Sequence, residues 1–335
     1  MQARPDARPA GPGPSKPKDA RRENQVPDQL HQPVMPEQVI KFLNPQTGGK
    51  YVDLTLGLGG HARRILECSA PDGVLLGVDR DPEAIRRAKK TLEPFRKRLK
   101  IIHGRFSELD VHLNNIGWSQ VDGMLADLGV SSLQLQDAQR GFSFQNAGPL
   151  DMRMDPGLDE SLMTRLARMD EVALADVLKR FGEVRRARVI ARRILRSIKE
   201  DPLMDTVELA RIASEGRRKG RIHPATRVFM ALRMMVNREQ EELRALLDSL
   251  PDPLKPGGRV VFISFHSLED RLVKQRLRDL EGICTCPPGL PKCCCGVRPL
   301  MRVITRRPVI PEQAELDRNP RARSARLRMA ERLAA

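Results

Sequence analysis

The chain has 335 residues, with 59 Lys and Arg against 43 Asp and Glu, which gives a formal net charge of +16. No apolar run approaches the ~20 residues that a membrane span requires, so an integral membrane protein is excluded. The first residues lack the apolar core of a secretory signal, and the six cysteines are poorly spaced for a disulfide scaffold. We therefore expect a protein of the reducing cytoplasm. The positive charge favours a polyanionic partner, of which nucleic acid is the commonest.

The first 28 residues are rich in Pro, Gly and charge, which predicts a disordered basic tail over 1–28. From residue 50 onward, four short apolar runs are predicted as buried strands: KYVDLTL, GVLLGVD, RLKIIHG and VDGMLADLG. Asp81-Pro82-Glu83 has the composition of a helix start, and that helix should end near Pro94. Strands that alternate with helices predict parallel pairing and crossovers, that is, a doubly wound α/β sheet.

The alternation stops between Ser131 and Pro224, where the pattern predicts helices and loops without a strand. One helix is predicted to end at Gly182. Its apolar stripe consists of Leu174, Val177, Leu178 and Phe181. The next helix has a basic face without alternating charge, which favours contact with phosphate groups. The arginines of this face are Arg185, Arg186, Arg188, Arg192, Arg193 and Arg196.

A fifth buried strand, GGRVVFISF, follows the helical stretch, and RVITRRPV and ARLRMAERL are predicted as the last strands at an antiparallel edge. The helix from about Ala225 has a wide apolar stripe that we expect to pack against the sheet. The predicted organisation is therefore an α/β domain formed by residues 29–132 and 225–335. A helical insertion over 133–224 separates its fourth and fifth strands and is predicted to recognise the substrate.

The glycine turn after the first strand is the strongest chemical signal. Its sequence is DLTLGLGGH, from Asp53 to His61, and glycines at such a turn let the backbone point its amide hydrogens at a ligand. Asp79, at the end of the next strand, can accept hydrogen bonds from both hydroxyls of a ribose. Together these features indicate an adenosine-containing cofactor.

The residues leave the identity of that cofactor open. Gly57-x-Gly59-x-x-Ala62 satisfies the dinucleotide pattern, so an NAD-dependent oxidoreductase is one alternative. S-adenosylmethionine is favoured because Asp53 can meet an ammonium group and Asp127 offers a polar group at the edge where a methyl acceptor would lie. Asp127 as a helix cap is a structural alternative. A non-catalytic rRNA-binding assembly factor is a further alternative for the whole chain.

From His31 to the C-terminus the chain resembles the RsmH (MraW) family of bacterial 16S ribosomal RNA cytosine-N4 methyltransferases. The matching stretches are HQPVM, DLTLGLGGHA, GVDRDP, IIHGRFS, DLGVSS, RGFSF, GPLDMRMD, HPATR, SFHSLEDR and NPRARSA. The resemblance implies a class I (Rossmann-like) methyltransferase sheet with a helical insertion between strands 4 and 5. It implies S-adenosyl-L-methionine as donor and a cytosine in the decoding region of 16S rRNA, within the small ribosomal subunit, as acceptor. It implies neither a membrane nor DNA as a partner.

The resemblance also assigns site residues by position. The implied cofactor contacts are Gly59, Gly60, His61, Asp79, Phe106, Asp127 and Gln134. Asp79 would bind the ribose, and Phe106 would lie by the adenine. Thr55 occupies the first glycine position of the usual acidic-x-Gly-x-Gly turn. The fourth strand lacks the Pro-Pro-aromatic motif by which many amino-group methyltransferases stack the target base. The sequence therefore does not identify the residues that bind the base.

Two residues are candidates for catalysis. Asp127 can accept a hydrogen bond from the cytosine amino group, which would orient that group and free its lone pair. His266, in SFHSLED, ends the fifth strand at the same edge and is a weaker candidate for proton acceptor. A buried histidine satisfied by its neighbours is the structural alternative.

Five cysteines lie between Cys284 and Cys295. Two Cys-x-Cys pairs joined by a short loop could bind zinc tetrahedrally, but Cys-x-x-Cys is the more usual spacing. We therefore assign no metal ligand.

Overall fold

Seven strands form one sheet in the computed structural model, which describes residues 32–158, 160–202, 204–215, 223–282, 286 and 294–334. The strands are β1 (Lys50–Asp53), β2 (Val74–Asp79), β3 (Leu99–His103), β4 (Val121–Asp127), β5 (Leu254–Ser264), β6 (Met301–Val303) and β7 (Arg326–Arg332). Their order is 3-2-1-4-5-7-6; β1 to β5 pair in parallel, and β7 is antiparallel to β5 and β6. The predicted doubly wound sheet and its antiparallel edge are confirmed. The predicted tail, 1–28, lies outside the described residues.

The helices of the described residues follow the predicted order along the chain. They are α1 (Pro36–Leu43), α2 (Gly60–Cys68), α3 (Pro82–Thr91), α4 (Leu109–Asn115), α5 (Ser132–Gln136), α6 (Leu162–Arg168), α7 (Glu171–Gly182), α8 (Ala187–Glu200), α9 (Thr206–Ser214), α10 (Ala225–Asn237), α11 (Glu239–Ser249), α12 (Ser267–Glu281) and α13 (Gln313–Arg318). The predicted cap of α3 is confirmed, because the Asp81 side chain accepts a hydrogen bond from the Glu83 amide. None of these helices is long and apolar enough to cross a membrane.

Both faces of the sheet are buried. In β5, Val260 and Phe262 belong to one apolar core, whereas Val261 and Ile263 belong to the other. Residues of α4, α11 and α12 complete the first core, and residues of α1 and α2 complete the second. A parallel strand covered on both faces is apolar at successive positions, which explains why the sequence predicts buried strands rather than amphipathic ones.

A third apolar core lies within the helices between β4 and β5. The predicted stripe of α7 contributes to it, and α7 ends at Gly182 as predicted. The left-handed residue at that end is Glu183, with φ 47°, rather than the glycine. Gly182 instead lies inside the helix, where an added Cβ would lie 2.6 Å from the Arg227 carbonyl oxygen. The glycine therefore permits close packing of α7 against α10.

The prediction that α10 packs against the sheet was wrong. Its buried residues Val228, Phe229 and Leu232 belong to the helical core, and α10 packs mainly on α7 with further contacts to α9 and α6. The apolar stripe of a helix shows which face is buried but does not identify the element that covers it.

The basic face predicted for α8 is only partly unpaired. Three of its arginines form ion pairs, two of them with carboxylates outside α8: Arg192 with Glu171, Arg193 with Glu215, and Arg196 with Glu200. Arg185, Arg186 and Arg188 have no carboxylate within ion-pair distance among the described residues. The prediction that no negative charge balances this basic face was wrong for the paired arginines. Two of their partners lie on α7 and after α9, and the sequence pattern of a single helix gives no information about carboxylates on other helices.

Candidate functional site

Three aspartates lie at the carboxyl ends of three adjacent strands. Asp53 ends β1, Asp79 ends β2 and Asp127 ends β4, and β1 lies between the other two strands. The chain order reverses at this point of the sheet, and open α/β sheets bind ligands outside the strand ends there. The structure thus brings the predicted Asp79 and Asp127 together beside the glycine turn.

The glycine turn requires glycines at two of its positions. Gly57 and Gly59 have φ of 53° and 84°, a left-handed conformation that disfavours side chains, and α2 begins immediately afterwards at Gly60. Thr55 connects the turn to the neighbouring strand, because its hydroxyl accepts a hydrogen bond of 2.7 Å from the Asp127 amide. This role of Thr55 was not predicted from the sequence, where the available signal was a hydroxyl at a position that glycine usually occupies.

Asp79 is fixed by backbone hydrogen bonds. Its Oδ2 accepts from the Gly57 amide at 2.7 Å, and its Oδ1 accepts from the Asp81 amide at 2.8 Å. Burial raises the pKa of the Asp79 carboxyl, although these two amides oppose the rise. Each carboxylate oxygen can accept more than one hydrogen bond, so the group can still bind a diol.

Several buried polar atoms at this edge have no hydrogen-bond partner among the described residues. They are Asp53 Oδ2, His61 Nδ1 and Nε2, and Asp127 Oδ1. The His61 Nε2 lies 3.7 Å from Asp127 Oδ2, which is an ion-pair distance rather than a hydrogen bond. Buried polar atoms in proteins are normally satisfied, so this cluster is suited to a ligand that brings its own polar groups.

Asp53 is a strongly perturbed acid of the cluster. Its side chain is buried, and its Oδ1 accepts a hydrogen bond of 3.2 Å from the Thr55 amide. Burial raises the pKa of the Asp53 carboxyl to about 7, although His61 and the Thr55 amide oppose the rise. A cation bound against Asp53 would stabilise its charged form and lower this pKa.

The Phe106 and Gln134 side chains differ in whether they are free to contact a cofactor. Phe106 is half-buried after β3, and the Arg80 guanidinium lies 5.9 Å from the centre of its ring. Gln134 is buried and already engaged, because its amide donates to Asp81 Oδ2 at 2.9 Å and accepts from the Ser131 amide at 3.0 Å. Cofactor contact by these two residues stays a prediction, and the bonds of Gln134 indicate that it positions Asp81.

His266 lies at the start of α12, where both ring nitrogens face Glu269. Its Nδ1 accepts from the Glu269 amide at 3.4 Å, and its Nε2 lies 3.0 Å from Glu269 Oε1. Burial raises the pKa of Glu269, but contact with His266 and the charge of Arg233 bring it below its usual value. Glu239 lies close enough to form a cluster of possible metal ligands with these two, but the Arg233 guanidinium already bonds both Glu239 oxygens. The geometry therefore supports a capping role for His266.

A capping role makes a specific prediction for His266. Replacement by asparagine, a good cap, should leave the turnover number within about threefold of the wild type, whereas alanine should lower the free energy of unfolding by about 0.5–2 kcal/mol. Urea unfolding and steady-state kinetics of both variants measure the two effects. A loss of turnover above about a hundredfold in a folded asparagine variant would restore the proton-acceptor hypothesis.

The cysteine cluster is only partly within the described residues. Cys286, Cys294 and Cys295 are described, and the Sγ atoms of Cys286 and Cys294 lie 3.7 Å apart. Cys284 and Cys293 lie outside the described residues. The zinc hypothesis therefore stays untested.

Comparison with known proteins identifies relatives along nearly the whole chain. Residues 28–333 match the model of the MraW methylase family. The chain is 49% identical over 306 residues to the ribosomal RNA small subunit methyltransferase H of Thermomicrobium roseum, a match that covers 91% of this chain and 94% of that relative. It is 48% identical over 310 residues to the protein of the same name from Geobacter sulfurreducens, covering 90% and 99%. A crystal structure of an rRNA methylase from Streptococcus thermophilus is similar with a TM-score of 0.38 and 11% identity, over 89% of this chain and 94% of that one.

Proposed function

The chain belongs to the MraW methylase family, and we propose that it methylates N4 of a cytosine in the decoding region of 16S rRNA, using S-adenosyl-L-methionine. It is an rRNA methyltransferase with a Rossmann-like class I fold. We place its action in the cytoplasm, on the assembled small ribosomal subunit, with neither a membrane nor DNA as a partner. The observation that supports the cofactor most directly is the cluster of buried polar atoms beside the ends of β1 and β4, which lack hydrogen-bond partners among the residues that the structure describes.

The residues present fit S-adenosylmethionine. Asp53 Oδ2 is a buried acceptor without a donor, and the ammonium group of an amino acid supplies both the donor and the opposite charge. His61 would bond the polar atoms of the same amino-acid moiety, and Gly59 and Gly60 would approach it with their backbone. Asp79 would bind the ribose hydroxyls, and Phe106 would lie against the adenine.

An NAD-dependent oxidoreductase fits these residues less well. A pyrophosphate at the glycine turn would face the buried Asp53 carboxyl and the Asp127 carboxylate, and like charges in a desolvated site repel strongly. The same two groups attract a cationic ligand.

When bound, the cofactor supplies an electrophilic methyl group on its sulfonium. The protein's part is positional and electrostatic. Asp127 would accept a hydrogen bond from the cytosine amino group and orient its lone pair, and the Thr55 hydroxyl fixes the Asp127 backbone. The insertion over 133–224, together with α10, which packs with it, would bind rRNA. Part of this binding would come from Arg185, Arg186 and Arg188, which have no carboxylate at ion-pair distance in the described part of the chain. The target base must be unpaired or flipped for N4 to be reached.

The proposal predicts the position of a labelled methyl group. Small ribosomal subunits from cells lacking this protein should accept label from S-adenosylmethionine, and nucleoside digestion should recover it in N4-methylated cytidine. Asp79→Ala, which removes the proposed ribose ligand, is the control and should transfer far less label at limiting cofactor. Label in another nucleoside would contradict cytosine N4 as the acceptor. Absence of both label and cofactor binding would contradict the proposal as a whole and would leave the NAD-dependent oxidoreductase as the alternative.

A further inference from the structure

A cavity of about 480 Å³ lies between the carboxyl edge of the sheet and the helical insertion, and arginines dominate its lining. The arginines are Arg80, Arg105, Arg165, Arg168 and Arg238. Arg80 directly follows Asp79 at the end of β2, and Arg105 follows β3. Arg165 and Arg168 belong to α6, and Arg238 lies between α10 and α11. The cavity is therefore built by the edge that bears the proposed cofactor site and by the proposed substrate-binding unit together.

Among the described residues, carboxylates balance only part of the positive charge of this cavity. Glu160 is the acidic residue of the lining, and it pairs with Arg168 and, at 3.7 Å, with Arg165. A second carboxylate, the buried Glu242, lies 3.6 Å from Arg80 and 3.3 Å from Arg105. In the part of the chain that the structure describes, five guanidinium groups thus meet two carboxylates, and an anion would supply the missing negative charge.

Two details of the lining arginines point to a ligand. Arg165 Nε is buried and has no hydrogen-bond partner among the described residues, with Glu160 Oε2 at 3.7 Å, although buried donors are normally satisfied. Arg238 is exposed and has no carboxylate at ion-pair distance among the described residues; its left-handed φ of 52° is the conformation that ends α10. Its guanidinium is therefore available to an anion.

We propose that this cavity binds backbone phosphate groups of the substrate RNA next to the target nucleotide; the inference rests on the proposed function. Guanidinium groups bond phosphate oxygens in a bidentate manner and remain charged at every physiological pH. The lining contains no aromatic ring on which a base could stack, and its apolar side chains are Leu158 and Val236. The cavity volume falls within the ~300–1,000 Å³ of ordinary ligand pockets. The cavity would therefore fix the RNA backbone, while the base enters the site at the strand ends.

The test compares Arg168→Gln and Arg238→Gln with the matched control Arg96→Gln. Arg168 and Arg96 are both 72% exposed and each pairs with one glutamate, but Arg96 precedes β3 and so lies at the opposite edge of the sheet. With small subunits as substrate, each cavity variant should raise KM about three- to tenfold, with the turnover number and the Kd for S-adenosylmethionine unchanged. The slope of log KM against log salt should fall by about one for each lost phosphate contact. Arg96→Gln should change KM less than about twofold.

Equal KM values and salt slopes for the cavity variants and Arg96→Gln would overturn the inference. The inference would also be overturned if inorganic phosphate raised the Tm of the wild type, but not of the cavity variants, while their KM for subunits stayed normal, because the cavity would then bind a free anion. If the wild type transfers no methyl group, the proposed function fails, and the salt dependence of subunit retention by the same proteins still tests the cavity.

Discussion

Replacing Asp127 by alanine is expected to lower the turnover number for methyl transfer by about 10²–10³-fold, the loss typical of removing one preorganised polar group from a transition state. The expectation rests on three features of Asp127. Its backbone amide is fixed by the Thr55 hydroxyl at 2.7 Å, and its Oδ1 is buried with no hydrogen-bond partner among the described residues. It also ends β4, the strand that pairs with β1, which bears Asp53. An acceptor that is already desolvated and oriented needs little reorganisation when the amino group of the base begins to lose a proton.

The measurement is single-turnover methyl transfer to small ribosomal subunits at saturating cofactor. Saturation separates the chemical step from the weaker cofactor binding that loss of the nearby carboxylate also causes, since His61 lies 3.7 Å from Asp127. Asp127→Asn retains a carbonyl acceptor and should recover part of the rate. An alanine variant with an unchanged rate at saturation would remove Asp127 from the chemistry and leave it a positioning residue for His61.

The sequence predicted those parts of the fold that depend on local pattern. Asp81 caps α3 through a bond to the amide of Glu83, only two residues further on, so the cap can be predicted from the local sequence, although Gln134 also bonds Asp81. The apolar run of β5 predicted a doubly covered strand for the same reason. The packing of α10 and the ion pairs of Arg192 could not be predicted, because their partners are distant in sequence and only the tertiary arrangement brings them close.

The candidate site was predictable to the same extent. Asp53, Asp79 and Asp127 end buried strands, so a parallel sheet places them at one edge whatever the details of packing. The roles of individual atoms were not predictable. The Gln134 amide is engaged with Asp81, and the Thr55 hydroxyl bonds a strand distant in sequence, and neither bond follows from the spacing of residues.

Asp53 is expected to make cofactor binding depend on pH. Burial raises the pKa of its carboxyl to about 7, so the group is about half protonated at neutral pH before the cofactor binds. The ammonium group of the cofactor binds the carboxylate and not the neutral acid. The Kd for S-adenosylmethionine should therefore fall about tenfold between pH 6 and pH 8, as the deprotonated fraction rises from about a tenth to about nine tenths.

Titration calorimetry of the wild type and of Asp53→Asn checks this expectation. The asparagine variant should bind the cofactor more weakly at pH 8, and its Kd should lose most of the pH dependence, because the titrating group is absent. Asp122→Asn is a suitable control, since Asp122 bonds Lys255 and the Lys50 amide away from the glycine turn. A pH dependence that persists in Asp53→Asn would assign the titration to another group of the site.

The Asp53 carboxyl should also make the cofactor-free protein less stable. The direction in which stability changes with pH follows from the pKa values of this carboxyl in the unfolded and the folded chain. The unfolded chain releases the Asp53 proton near the usual pKa of 3.8 and the folded protein near 7, so stability falls as pH rises between these values and the penalty is complete above 7. The full shift corresponds to about 4 kcal/mol, of which we expect Asp53→Asn to recover about 1–3 kcal/mol, because the new amide donor also needs a partner. Urea unfolding without cofactor should show a gain about 1 kcal/mol larger at pH 8 than at pH 6. An asparagine variant that is less stable than the wild type at both pH values would show that Asp53 stabilises the fold, whereas the expected gain would mean that a buried carboxylate is kept for the ligand at the expense of stability.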